Sequence, residues 1–134
     1  MLRLPTVPTD HPAKLATILV IDPEPLYRWF VTESLGACGM VVMAAASIEG
    51  GVAYLGDSGS VDLLIVDGDL FLGSGQLRCL LRECAGALRC LVLDSDGDLT
   101  RQEFGNVTVA AKPVDSAALA RLVTNQLGRG ISLV

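Results

Sequence analysis

Val61-Asp62-Leu63-Leu64-Ile65-Val66-Asp67-Gly68-Asp69 decides the fold. Leu63 to Val66 is an unbroken apolar run bounded by Asp62 and by the turn signal Gly68-Asp69. Its length and its Leu, Ile and Val suit a strand buried on both faces, as in a parallel sheet. The strand ends on the carboxylate of Asp67. In an open parallel sheet, ligands and chemistry gather outside the carboxyl ends of the strands. Asp67 therefore stands where a functional residue should stand.

The neighbouring segments repeat the pattern. Ala16–Ile21 reads as a first buried strand ending in Asp22-Pro23-Glu24-Pro25, with Pro25 in the first turn of a helix over about Pro25–Leu35. That helix is expected to bury Leu26, Phe30 and Trp29 and to end at Gly36 and Gly39. Met40–Ala46 reads as a second strand, and Ser47 as the cap of a short helix over Ile48–Leu55. Gly73-Ser74-Gly75 is a loop, too short for a phosphate-binding fingerprint. Leu77, Leu80, Leu81 and Cys84 recur at helical spacing. Leu88–Leu93 is a fourth strand, followed by a short helix over Leu99–Phe104. Val107–Ala111 is a fifth strand, closed by Lys112-Pro113. A final helix, capped by Asp115 or Ser116, presents Leu119, Leu122, Val123 and Leu127 and stops at Gly128. Alternation of strand and helix implies a parallel sheet covered on both faces, with right-handed connections.

Composition bounds the rest. The chain has 134 residues, enough for one domain, with 51% hydrophobic and 19% charged residues. The formal net charge of -5 argues against direct nucleic-acid binding, which needs clustered Lys and Arg. Cys38, Cys79, Cys84 and Cys90 form no Cys-x-x-Cys pair, and the single histidine, His11, lies apart from them. Free thiols are expected, and with them a reducing, cytoplasmic setting. No stretch has the length of a membrane span, and no signal-peptide core is present. Residues 1–15 read as a flexible arm, 16–128 as the domain and 129–134 as a tail.

Asp22, Asp67 and Lys112 each end or follow a strand, and the fourth strand ends in Asp94-Ser95. An acidic pocket with one cation can hold a divalent metal through oxygen ligands. A carboxylate within it can also act as a nucleophile toward phosphorus. Asp94-Ser95-Asp96-Gly97-Asp98 resembles the start of a calcium loop. It has Leu99 and Gly105 where that loop needs Gly and Glu, and so reads as an acidic loop.

These residues together resemble a response-regulator receiver domain of two-component signalling. The resemblance spans residues 16–127. It rests on Ile18-Leu19-Val20-Ile21-Asp22-Pro23-Glu24-Pro25, on the Asp67 strand with Gly75 eight residues on, and on Lys112-Pro113. Asp67 lies 45 residues from both Asp22 and Lys112. The resemblance implies a flavodoxin-like (βα)5 doubly wound fold with a five-stranded parallel sheet in the order 2-1-3-4-5. It implies a non-enzymatic switch in which Asp67 accepts a phosphoryl group from a histidine kinase or phosphotransfer protein. Lys112 would pair with the acceptor. Asp22, Asp67 and the backbone carbonyl of Asp69 would hold Mg2+. Output would pass to a downstream protein partner or effector domain, or to a homodimer. The Lys112–Pro113 peptide bond would be cis.

Several positions depart from the family pattern. Pro23 stands where a second acidic ligand is usual, and Glu24 is the adjacent candidate to replace it. Asp94 or Ser95 takes the switch hydroxyl position. Val109 stands for the switch aromatic and Phe71 for a proline. The chain is therefore expected to be an atypical receiver. The rival readings are a phosphorylation-independent pseudo-receiver acting as an interaction or dimerisation module, and a flavodoxin-like enzyme or nucleotide-binding domain.

Overall fold

A computed structural model describes residues 15–58, 61–84, 88–95, 107–112 and 115–128. The elements run β1 (Thr17–Ile21), α1 (Pro25–Gly36), β2 (Val41–Ala45), α2 (Ile48–Ser58), β3 (Leu63–Asp67), α3 (Gly68–Gly73), α4 (Gly75–Cys84), β4 (Arg89–Asp94), β5 (Val107–Ala111) and α5 (Ser116–Leu127). The strands form one sheet in the order β2-β1-β3-β4-β5, every neighbouring pair parallel. This is the doubly wound order that the resemblance implies. The arm up to residue 14, the Leu99–Phe104 helix, Pro113 and the tail from residue 129 lie outside the described residues.

Alternation along the strands builds two cores. Leu19, Ile21, Leu64, Val66, Cys90 and Val92 face one side and pack with Phe71, Leu77 and Leu81 of α3 and α4. Ile18, Val20, Leu63, Ile65, Leu91 and Leu93 face the other and pack with Val31 and Leu35 of α1 and Leu119 and Val123 of α5. The three inner strands, β1, β3 and β4, are buried almost throughout, as a doubly covered parallel sheet requires.

The first helix turns a different face inward from the one expected. Leu26 and Trp29 are exposed, at 75% and 62%, and Phe30 is half-buried. The inward stripe is Tyr27, Val31 and Leu35, spaced at i, i+4 and i+8. At about 100° per residue, Leu26 and Trp29 lie roughly 140–160° from Val31. The expected turn at Gly68-Asp69 is instead the start of α3, six residues capped by Asp67 itself. Elsewhere the caps follow the sequence: the Ser47 hydroxyl accepts from Gly50 N, and Asp115 caps α5. Gly128 ends α5 at φ 99°, a left-handed region that favours glycine.

Candidate functional site

Four strands bring charged residues to one edge. Ile21 pairs with Val66, Asp67 with Leu93, and Asp94 with Ala111, so the ends of β1, β3, β4 and β5 lie level. Asp22 follows β1, Asp67 ends β3, Asp94 ends β4, and Lys112 follows β5. The three carboxylate residues are buried, at 3%, 7% and 4% exposure. Buried charge is costly unless it is paired.

Lys112 supplies the pairing. Its Nζ lies 2.8 Å from Asp22 Oδ2 and 2.8 Å from Asp67 Oδ1. The remaining oxygens are also held. Asp22 Oδ1 accepts from Glu24 N at 2.9 Å. Asp67 Oδ2 accepts from Asp69 N at 3.1 Å and Leu70 N at 3.2 Å, the first amides of α3. Arg28 Nη1 donates to the Asp22 carbonyl at 2.8 Å, tying α1 to the end of β1. The Tyr27 ring closes on the ammonium, with Nζ 4.6 Å from its centroid. Burial alone would lower the Lys112 pKa. The hydrogen bonds and charges of Asp22 and Asp67 outweigh it and hold the pKa above the ordinary lysine value, so the ammonium stays protonated.

Asp94 stands against the junction of β3 and α3. A methyl group on Gly68, the residue after Asp67, would sit 2.7 Å from Asp94 Oδ1 and 3.1 Å from its Cα. Ser95 is exposed on the bend beyond. Of the two switch candidates, the chain presents the carboxylate inward. Asp94 is fixed through its backbone as well, since its carbonyl accepts from Lys112 N at 3.0 Å.

The other candidates sit apart from this cluster. Glu24 is exposed and caps α1, its Oε1 accepting from Leu26 N at 3.1 Å and Tyr27 N at 3.3 Å. The Asp69 side chain is exposed. Phe71 is buried in the core under β3 and β4. Val109 is half-buried and packs against the same core. Cys90 is buried, and its burial raises the thiol pKa, which suits an inert core residue. Tyr27 and Arg28 were not anticipated from sequence. Their signal is local: both fall in the first turn of α1, just beyond Asp22.

The donors expected for magnesium sit around Lys112. Asp22 and Asp67 share one ammonium, Pro23 has no ligand side chain, and Glu24 faces the N-terminus of α1. Among the described residues no group of three or more His, Cys, Asp or Glu side chains could hold a metal ion. Asp22, Asp67 and the Asp69 carbonyl are the groups that would hold a divalent cation, and in this arrangement Lys112 bridges the two carboxylates.

No protein-family model matches the sequence, and no curated protein matches it. Solved structures do. A response-regulator receiver domain from Bacillus halodurans aligns over 84% of this chain and 97% of its own, at TM-score 0.71 and 20% identity. One from Clostridium thermocellum covers 84% and 94%, at TM-score 0.69 and 26% identity. The receiver domain of the hybrid histidine kinase CckA covers 84% and 100%, at TM-score 0.64 and 26% identity. With this sheet order, the protein is an α/β doubly wound domain. More narrowly, the chain folds as a response-regulator receiver domain.

Proposed function

We propose that the chain works as a receiver-type interaction module that binds protein partners without being phosphorylated. The observation that carries this reading is the buried Asp94 carboxylate against Gly68, beside a pocket in which Lys112 already bridges Asp22 and Asp67. A phosphoryl group on Asp67 would bring about -1.5 to -2 charge. It would meet the two other buried carboxylates, Asp22 and Asp94, and the one ammonium of Lys112. Like charge opposes its addition, and Lys112 is already shared between Asp22 and Asp67. The partners belong to two-component signalling: a kinase, a downstream protein or a second copy of the chain.

A second reading keeps Asp67 as phosphoacceptor. It draws support from the amides of Asp69 and Leu70 on Oδ2 and from Lys112 on Oδ1, since N–H donors and an ammonium suit a transferred phosphoryl group. In that step a carboxylate oxygen of Asp67 attacks phosphorus. The P–N bond of a partner phosphohistidine breaks, and the imidazole leaves with the electron pair.

One experiment separates them. The protein is incubated with magnesium and acetyl phosphate and weighed intact, with Asp67→Asn as control, and beryllofluoride binding is measured beside it. The expected result is an unchanged mass and no beryllofluoride binding. A magnesium-dependent gain of one phosphoryl group, lost in Asp67→Asn, would replace the first reading with the second.

A further inference from the structure

We propose that Tyr27 is a positioning residue for Lys112, its ring fixing the ammonium between Asp22 and Asp67 as the resident cation of the pocket. The proposal rests on the phosphorylation-independent reading and says what keeps the pocket closed. Lysine carries its charge on a flexible four-carbon stem, so two carboxylates at its tip do not by themselves fix one geometry. The Tyr27 ring adds a third contact. A centroid 4.6 Å from Nζ lies inside the reach of a cation–π attraction, about 6 Å, and such contacts strengthen when water is excluded. The Lys112 side chain is only 11% exposed.

The ring is itself held. Tyr27 lies in the first turn of α1, where Glu24 accepts its backbone N–H. Phe30 backs it, with ring centroids 5.4 Å apart and planes tilted by 46°. It shares the inward stripe with Val31 and Leu35, and so is anchored to the core beneath β1 and β3. Arg28, the next residue, grips the Asp22 carbonyl. The first turn of α1 thus fixes both the backbone of Asp22 and the face on which Lys112 rests.

The test reads the ammonium directly. Lysine ammonium protons exchange quickly with water unless they are held and desolvated. With 15N-labelled lysine, the wild-type chain should show one slowly exchanging ammonium signal, assigned through its loss in Lys112→Met. Tyr27→Phe keeps the ring and should keep the signal. Tyr27→Leu and Tyr27→Met keep apolar volume without the ring, and exchange should quicken by about tenfold. Backbone amide spectra report whether each variant stays folded. Slow exchange retained in folded Leu and Met variants would overturn the proposal. So would unfolding of both beside a stable Phe variant, because Tyr27 would then be a core residue only. If magnesium displaces the wild-type signal, the phosphorylation-independent reading fails, whatever Tyr27 does.

Discussion

At Lys112 two effects oppose one another, and their balance fixes a pH dependence. Burial favours the neutral amine, while Asp22 and Asp67 favour the ammonium, and the net shift is upward from 10.5. A group whose folded pKa is raised contributes stability that is complete below its unfolded pKa and is lost as pH climbs through the folded value. Urea denaturation should therefore show an alkaline decline that begins above about pH 10.4. Lys112→Met should lack that decline. It should also be less stable at neutral pH by about 3–5 kcal/mol, the range for stripping a partner from buried charge. An identical alkaline decline in both proteins would count against the ion triad. At Asp94 and Pro23 the prediction is a gain. The double variant Pro23→Asp, Asp94→Thr restores an acidic ligand and a hydroxyl, and intact mass should show magnesium-dependent phosphorylation absent from the parent. An unmodified double variant would mean that these two positions do not block the site. Asp22, Asp67 and Lys112 were legible in the sequence because each closes an apolar run and their spacing is even. The choice between Asp94 and Ser95 was not. It turns on where β4 stops, and hydrophobicity fixes a strand end only to within a residue or two.

Among the elements, legibility followed length. The five strands and the long helices carry enough apolar residues to declare a period. α3 does not, because Gly68-Asp69-Leu70-Phe71-Leu72-Gly73 is under two turns and is bracketed by glycines. What makes it a helix is the Asp67 carboxylate at its N-terminus and Arg78 at its C-terminus. Arg78 Nη1 donates to the Phe71 and Leu72 carbonyls at 2.9 and 2.8 Å. α1 misled for another reason: Leu26, Trp29 and Phe30 offer as much apolar surface as Tyr27, Val31 and Leu35, and only the sheet decides between the faces. Glycine scanning separates tight element contacts from open ones. A Cβ at Gly51 in α2 would stand 2.7 Å from Ile21 Cγ1, closer than side-chain carbons pack. Alanine gains up to about 1 kcal/mol in helix propensity, but overpacking costs about 1–3 kcal/mol. Gly51→Ala should therefore be destabilised. Gly36, at the end of α1, meets nothing within 4 Å, and Gly36→Ala should be neutral or slightly stabilised. Chemical denaturation of the pair checks both signs, and a stabilised Gly51→Ala would mean that α2 can move off β1.

At the scale of the whole domain, Lys112 is a tie across the sheet. β5 is an edge strand, half-buried along its length, and its sheet hydrogen bonds reach only β4. From just beyond its end, Lys112 crosses β4 to bind Asp67 of β3 and Asp22 of β1. One side chain thus couples an edge strand of the sheet to two of its buried inner strands. Local opening begins where buried contacts are fewest, so without this tie β5 should open at a lower free energy than the rest. Amide hydrogen exchange at neutral pH should show Thr108–Ala111 losing more protection in Lys112→Met than Leu19–Ile21 or Leu64–Val66. An equal loss at all three strands would make Lys112 a contributor to global stability alone. A selective loss at β5 would mean that the ion triad of Asp22, Asp67 and Lys112 serves as a latch. It would keep the β5 edge rigid without a phosphoryl group, which a partner-binding surface independent of phosphorylation requires.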